Sequence, residues 1–105
     1  MEFINLTPHK LNLVANDGSQ VSIDPSGTVA RVSSSMKPTT VINGIQVFQP
    51  SYGEVENIPA AEDGKVFIVS RMVKDRIPER TDVLVPGNPV RDEAGNIIGS
   101  KGLCL

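Results

Sequence analysis

The sequence contains few of the residues that build disulfides, metal centres or aromatic surfaces. Its 105 residues include one cysteine, one histidine, four aromatic side chains and no tryptophan. One cysteine cannot form an internal disulfide or a Cys-based zinc site, and one histidine offers no HxH or HxxxH spacing. We therefore expect no cofactor and no metal, and we expect the reducing cytosol as the compartment. Cys104 lies in an apolar Gly-Leu-Cys-Leu segment without an activating neighbour, which predicts a packing role rather than a nucleophile.

Excess basic charge and long apolar runs are also missing. The net charge is −2 and the isoelectric point is near 5.3, which argues against binding nucleic-acid polymers. No apolar run approaches the roughly 18 residues of a membrane-spanning helix. The opening residues, MEFINLTPHK, do not have the basic-then-apolar pattern of a secretory signal. Nucleic-acid polymers and membranes are therefore not among the expected partners.

Glycine and proline are frequent, with 17 between them, and they leave little room for helices. Short alternating apolar segments lie between turn signals, which is typical of strands. Asn16-Asp17-Gly18 and Asn43-Gly44 predict hairpin turns, the second flanked by β-branched residues. We predict a β-rich α+β fold in a single domain, residues 1–105. It would hold a small, mostly antiparallel sheet or barrel-like arrangement with one short helix near 70–77.

The helix prediction depends on a segment with a different pattern. Residues 65–69 are nearly all apolar, as in a strand buried on both faces. Val69, Met72, Val73 and Ile77 then follow at helical spacing, after Ser70 as a potential N-cap. A second short strand begins at 82. The connection is long enough for a parallel crossover, and an antiparallel return remains open.

Six blocks of the chain resemble a family of small, mostly uncharacterised phage and bacterial proteins. The blocks are INLTPHKLNL, PSGTVARVS, GEVENIP, GKVFIVSRMV, RTDVLVPG and VRDEAGNIIG. The family pattern has an N-L-T-P-H opening and a V-R-D-E-x-G segment. The resemblance implies a phage or mobile-element setting, and so the host cell cytosol, rather than a particular reaction. Small phage proteins of this kind often act against the host, including as sponges for nucleotide-derived immune signals.

The sole histidine, His9, follows Thr7-Pro8 at the end of the first predicted strand. An imidazole titrates near neutral pH and suits a ligand-contacting or general-base role. The alternative is a structural role in a turn. We predict His9 as a ligand-binding residue, together with Asn5 and Thr7, which precede it along the strand.

Four of the five arginines fall between 71 and 91. Arg71 follows the buried strand, where a ligand crevice opens in α/β proteins, and Arg80 and Arg91 come later. Guanidinium groups there can clamp a phosphate or carboxylate. Asp82 and Glu54 are carboxylates suited to ribose hydroxyls or a base amino edge. Acidic residues are interleaved with these arginines, so a solvated, mutually neutralised surface is the alternative for the arginines. A turn or salt-bridge role is the alternative for Asp82 and Glu54.

No Walker, GxGxxG or GxSxG pattern is present, and no catalytic residue is predicted. The first hypothesis is a non-enzymatic protein that sequesters a small anionic, nucleotide-like ligand, against host immune signalling if phage-encoded. Because a small chain has little room for a deep pocket, we expect a homo-oligomer. The second is a protein-interaction module that inhibits a host protein. The third is a nucleotide-processing enzyme that uses His9. Tyr52 is a candidate for stacking on a base, with a packing role as the alternative, while Ser33–Ser35 are predicted as turn residues.

Overall fold

The chain forms eight strands and one helix, and the prediction of a β-rich α+β fold is confirmed. The computed structural model describes every residue from Met1 to Leu105. The elements are β1 (Glu2–Asn5), β2 (Leu11–Val14), β3 (Gln20–Ile23), β4 (Arg31–Ile42), β5 (Ile45–Glu56), β6 (Lys65–Ile68), α1 (Arg71–Arg76), β7 (Val83–Arg91) and β8 (Ile97–Cys104). No helix is long and apolar enough to cross a membrane.

Six strands form one sheet in the order β1-β6-β7-β8-β2-β3. The pairs β1–β6, β6–β7 and β8–β2 are parallel, whereas the long β7–β8 ladder and the β2–β3 hairpin are antiparallel. The two outer strands approach each other, because a parallel bridge joins Asn5 at the end of β1 to Pro25 just after β3. The Ser26 amide donates to the Asn5 carbonyl at 3.0 Å across this junction. The sheet is therefore nearly closed and barrel-like.

The helix lies in the segment that the sequence indicates. It connects two parallel strands, so the parallel crossover is correct and the antiparallel return is not. Ser70 occupies the N-cap position, but its side chain makes no capping hydrogen bond. The predicted stripe is wrong at Met72, which is 51% exposed, while Val69 and Val73 are buried. A helix of only six residues turns one narrow face inward, and Met72 does not lie on it.

The core is small and lies between the sheet and the helix. Its largest fully buried side chains come from β6, the helix and β7: Phe67, Ile68, Val69, Val73 and Val83. Successive residues 67–69 are all buried, which confirms a strand covered on both faces. Burying one such side chain contributes roughly 1.5–3 kcal/mol. The core therefore stabilises the six-stranded body and little else.

The end of strand β8 corrects one expectation. Leu103 is half-buried, whereas Cys104 is exposed, so the predicted packing role of Cys104 is wrong. Further along the β7–β8 ladder the backbones pass closely at Gly87. A Cβ atom on Gly87 would lie 2.2 Å from the Lys101 carbonyl oxygen, so no larger residue fits without a backbone shift.

Strands β4 and β5 form a separate two-stranded sheet, here called the arm (residues 31–56). Each strand has twelve residues, and nearly all of them are exposed. Asn43 and Gly44 join the strands with φ of 51° and 77°, so the predicted Asn-Gly hairpin is confirmed. The arm packs on the helix near its base. The whole molecule, arm included, measures 55 × 40 × 23 Å.

Candidate functional site

The residues predicted at the N-terminal turn are joined by hydrogen bonds. The buried Asn5 side chain donates to the carbonyls of His9 at 2.7 Å and Ile23 at 3.1 Å. Its Oδ1 accepts from the backbone amide of Thr7 at 2.9 Å and from the Thr7 hydroxyl at 2.6 Å. That hydroxyl also lies 3.1 Å from the His9 carbonyl oxygen. The structure thus brings Asn5, Thr7 and His9 together.

These contacts give Asn5 and Thr7 a structural role within the chain. Asn5 is 1% exposed and its amide group is fully satisfied by protein partners. No buried side-chain polar atom in the chain lacks a hydrogen-bond partner. His9 takes part only through its backbone carbonyl, and the residue itself is exposed. The imidazole is therefore free to meet a ligand from solvent, and its ligand-binding role stays a prediction.

Arg80 and Asp82 form a tight ion pair beside the helix. Arg80 Nε and one terminal nitrogen donate to the two Asp82 oxygens, both at 2.8 Å. The same terminal nitrogen donates to the Pro59 carbonyl at 3.1 Å. The hydrogen bonds from Arg80 lower the pKa of the Asp82 carboxyl, and the pair raises the pKa of Arg80. The salt-bridge alternative thus describes both residues within the chain, and little of the guanidinium is left for an anion.

A buried lysine that the sequence did not lead us to predict stabilises the loop that carries Arg80 and Asp82. Lys74 is 4% exposed on the inner side of the helix. Its ammonium donates to the carbonyls of Arg80 at 2.5 Å and Pro78 at 3.4 Å. The charge is thus used to satisfy carbonyls of the loop after the helix. No local pattern signals this, since the partners are set by how the loop folds back.

The remaining predicted residues lie apart from these two groups. Arg71 donates to the Leu105 carbonyl at 3.2 Å and lies 3.9 Å from Asp75. Arg91 donates to the Gly95 carbonyl at 2.9 Å within the β7–β8 turn, and Glu54 is exposed on the arm. No hydrogen bond or ion pair connects Arg71, Arg80 and His9 with one another. Contacts within one chain therefore do not bring the predicted ligand-binding residues Arg71, Arg80 and His9 together.

A different arginine, Arg76, contacts the arm. The Arg76 guanidinium lies over the Tyr52 ring, 5.0 Å from its centroid, a cation–π contact between the helix and β5. Beside it, the exposed face of the helix borders an open depression of about 460 Å³ lined by Arg71, Met72, Asp75 and Arg76. A second depression on the arm is lined by serine hydroxyls and Tyr52. Ser33–Ser35 lie within β4, so their predicted turn role is wrong.

The arm has one face that is largely apolar. Cross-strand partners share a face of a sheet, and here the pairs are Met36 with Pro50 and Pro38 with Phe48. Beyond the irregularity at Thr39, Val41 joins that face opposite Gln46. We define the apolar face by six residues: Met36, Pro38, Val41, Phe48, Pro50 and Tyr52. Met36, Val41 and Phe48 are 67%, 58% and 52% exposed.

The opposite face of the arm is polar from its base to Gln49 and apolar towards the tip, from Val47 onward. Ser35 pairs with Ser51, and Lys37 pairs with Gln49. At the tip, Ile42 pairs with Ile45 and both are more than half exposed. One sequence signal marks the region: the sixteen residues from Pro38 to Gly53 include no charged side chain, in a chain that is 21% charged. A segment this long without charge is unusual for a surface exposed to water.

Comparisons with known proteins add no relative. No protein family, curated protein or solved structure matches the chain. No group of three or more histidine, cysteine, aspartate or glutamate side chains is placed to hold a metal ion. The function is therefore inferred from this chain's own surfaces, among which the arm and the adjoining helix face stand out.

Replacement of Asn5 and of His9 is expected to have very different effects on stability. Asn5→Ala leaves buried partners of the amide unsatisfied, and we expect a loss of about 2–4 kcal/mol in the free energy of unfolding. His9→Ala keeps the backbone carbonyl and is expected to change the free energy of unfolding by less than about 0.5 kcal/mol. Urea unfolding measures both. A similar loss in the two variants would contradict the structural role given to the Asn5 side chain.

The Arg80–Asp82 pair makes stability depend on pH. Because the folded-state pKa of Asp82 is lowered, the pair stabilises the fold above the ordinary aspartate pKa, and this is lost as the pH falls through the lowered value. Asp82→Asn is expected to cost about 1 kcal/mol at neutral pH and progressively less in acid. Asp75→Asn is the control, since its carboxylate is 64% exposed and 3.9 Å from Arg71. Urea unfolding across pH is the measurement, and a pH-independent cost of Asp82→Asn would rule the pair out as the cause.

Proposed function

We propose that this chain is a protein-binding module that docks through its arm. The observation that carries the proposal is the uncovered apolar face of the arm, with no charge between Pro38 and Gly53. Contiguous exposed apolar surface of this kind marks protein-interaction sites. We place its action in the cytosol, where the lone, exposed Cys104 stays reduced.

The energetics of the arm support this proposal. An isolated two-stranded hairpin is at best marginally stable in water. Fixing each backbone residue costs roughly 1–2 kcal/mol of conformational entropy, and exposed side chains return little of it. The arm's strands bury almost nothing beyond their base, where Val32 and Val55 pack against the core. A partner that covers the apolar face would supply the missing burial.

The prolines of the arm favour packing through its face over strand addition. A proline cannot donate to a β-ladder, so within a sheet it is confined to edge positions whose nitrogen faces away from the neighbouring strand. Pro38 and Pro50 each interrupt one outer edge of the arm near its middle. A partner strand added there would lose a hydrogen bond. The apolar face, by contrast, carries both proline rings as contact surface.

Replacement on the apolar face is expected to abolish partner binding. We expect Phe48→Asp and Met36→Asp to release a stoichiometric partner that the unmodified chain retains from a lysate of the cells in which it acts. Gln49→Asp is the matched control, because Gln49 neighbours Phe48 but lies on the polar face. Quantitative pull-down measures retention, and circular dichroism verifies the fold. Equal retention by all three variants, or the absence of any partner of the unmodified chain, whether another protein or a second copy, would refute the proposal.

Sequestration of a small anionic, nucleotide-like ligand is the second candidate function. The contact of Arg76 with Tyr52 favours it, because a guanidinium and an aromatic ring beside an open depression suit a phosphate and a base. In the phage setting that the sequence resemblance implies, the ligand would be a host immune signal. Nothing in the arrangement supplies a nucleophile with its base, so the enzymatic hypothesis has less support.

Calorimetry with cyclic nucleotides and ADP-ribose tests this second function. We expect Arg76→Ala to weaken binding by at least about tenfold, the loss that a charge-assisted hydrogen bond carries. Lys37→Ala removes the same charge from the polar face of the arm and is expected to bind as the unmodified chain does. If no ligand produces heat, or if both variants lose affinity equally, the anion-binding function is rejected.

A further inference from the structure

The body of the molecule carries an apolar groove. It lies across the strands β1, β2, β3 and β8 and is lined chiefly by Phe3, Leu13, Val21 and Leu103, with no charged side chain. Phe3 and Val21 are 41% and 43% exposed, so the chain covers both side chains only in part. The volume of about 200 Å³ compares with the roughly 150 Å³ of an apolar cavity that takes up benzene. The groove therefore has room for one or two aliphatic side chains.

The tip of the arm presents side chains of that kind. Ile42 and Ile45 are cross-strand partners on one face and are 58% and 69% exposed. The hairpin turn between them is fixed by Asn43 and Gly44, and the Gln46 amide donates to the carbonyls of Thr40 and Val47, both at 3.0 Å. The two isoleucines are thus held together on an ordered turn rather than on a loose loop.

We propose that the arm tip of one copy of this chain inserts Ile42 and Ile45 into the groove of a second copy. The inference rests on the proposed protein-binding function and names its partner. A second copy supplies both missing surfaces, since every chain carries one apolar projection and one apolar groove. Neither surface carries charge, so their contact desolvates no ionised side chain.

Dimensions fit a reciprocal exchange. Twelve residues of strand extend about 40 Å, enough to reach across a second body when the whole molecule measures 55 × 40 × 23 Å. One tip in one groove is a small contact. A two-fold pair makes this contact twice, so the buried area is doubled without a second kind of surface.

Charged substitutions at the two surfaces test the pairing. We expect the unmodified chain to sediment as an oligomer and Ile45→Asp and Val21→Asp each to weaken self-association by about thirtyfold or more. Gln49→Asp and Gln20→Asp, on neighbouring polar positions of the arm and of β3, are the controls and are expected to associate normally. An equimolar mixture of Ile45→Asp and Val21→Asp should form a mixed complex, because one copy keeps its arm tip and the other keeps its groove.

A crosslinking measurement remains informative where a charged variant does not fold. With Cys104→Ser in every chain, Ile45→Cys and Val21→Cys copies should form a disulfide between chains under mild oxidation, and Gln49→Cys with Val21→Cys should not. A monomeric unmodified chain, or mixtures that neither associate nor crosslink, would overturn the inference. If the chain is monomeric yet Phe48→Asp still releases another protein, only the choice of partner is wrong. Loss of both results removes the protein-binding function itself.

Discussion

The buried amide of Asn5 is the contact on which the body of this molecule depends. It lies at the end of β1 and donates to a carbonyl of β3 and to the carbonyl of His9. These bonds hold together the two edges of a six-stranded sheet that would otherwise be open. Open edges invite pairing with other chains, and closing them removes that hazard. Because Asn5 is 1% exposed, its loss would leave several buried polar groups unpaired.

Closure of the sheet decides which part of the chain is left to interact. Residues of β6, α1 and β7 form most of the buried core of the body, while the arm extends beyond the body. The arm's edges are interrupted by Pro38 and Pro50, so its faces rather than its edges are available. The same chain therefore suppresses strand addition at both its body and its arm, and the arm presents exposed apolar surface on one face and at its tip.

Much of the fold follows from local signals in the sequence. Asn43-Gly44 and Gly18 adopt the positive φ angles that their turns require, and the apolar run 65–69 forms a fully buried strand. The length of the arm was harder to predict from the sequence. A register irregularity at Thr39 shifts the alternation, so Met36 and Pro38 share a face with Val41 rather than with Thr40. A simple period of two does not detect such a face.

The candidate site was harder to predict than the fold, for a physical reason. Asn5, Lys74 and Arg80 have partners that are set by tertiary packing, and the sequence shows the donors without showing their acceptors. The ion pair between Arg80 and Asp82 could be anticipated as an alternative role because the two residues are only two positions apart. The uncharged stretch from Pro38 to Gly53 is the signal that points to the arm, and it is visible only as an absence.

The two proposed functions are connected by the position of the arm. A binding pocket usually buries 70–90% or more of a small ligand, and the open depression beside Arg76 does not enclose one within a single chain. Tyr52, which contacts Arg76, also belongs to the apolar face of the arm. A second copy paired through the arm would bring a further surface towards the depression and deepen it. Sequestration of a small anion by this chain would therefore depend on self-association first, and substitutions at the arm tip, far from Arg76, would weaken both.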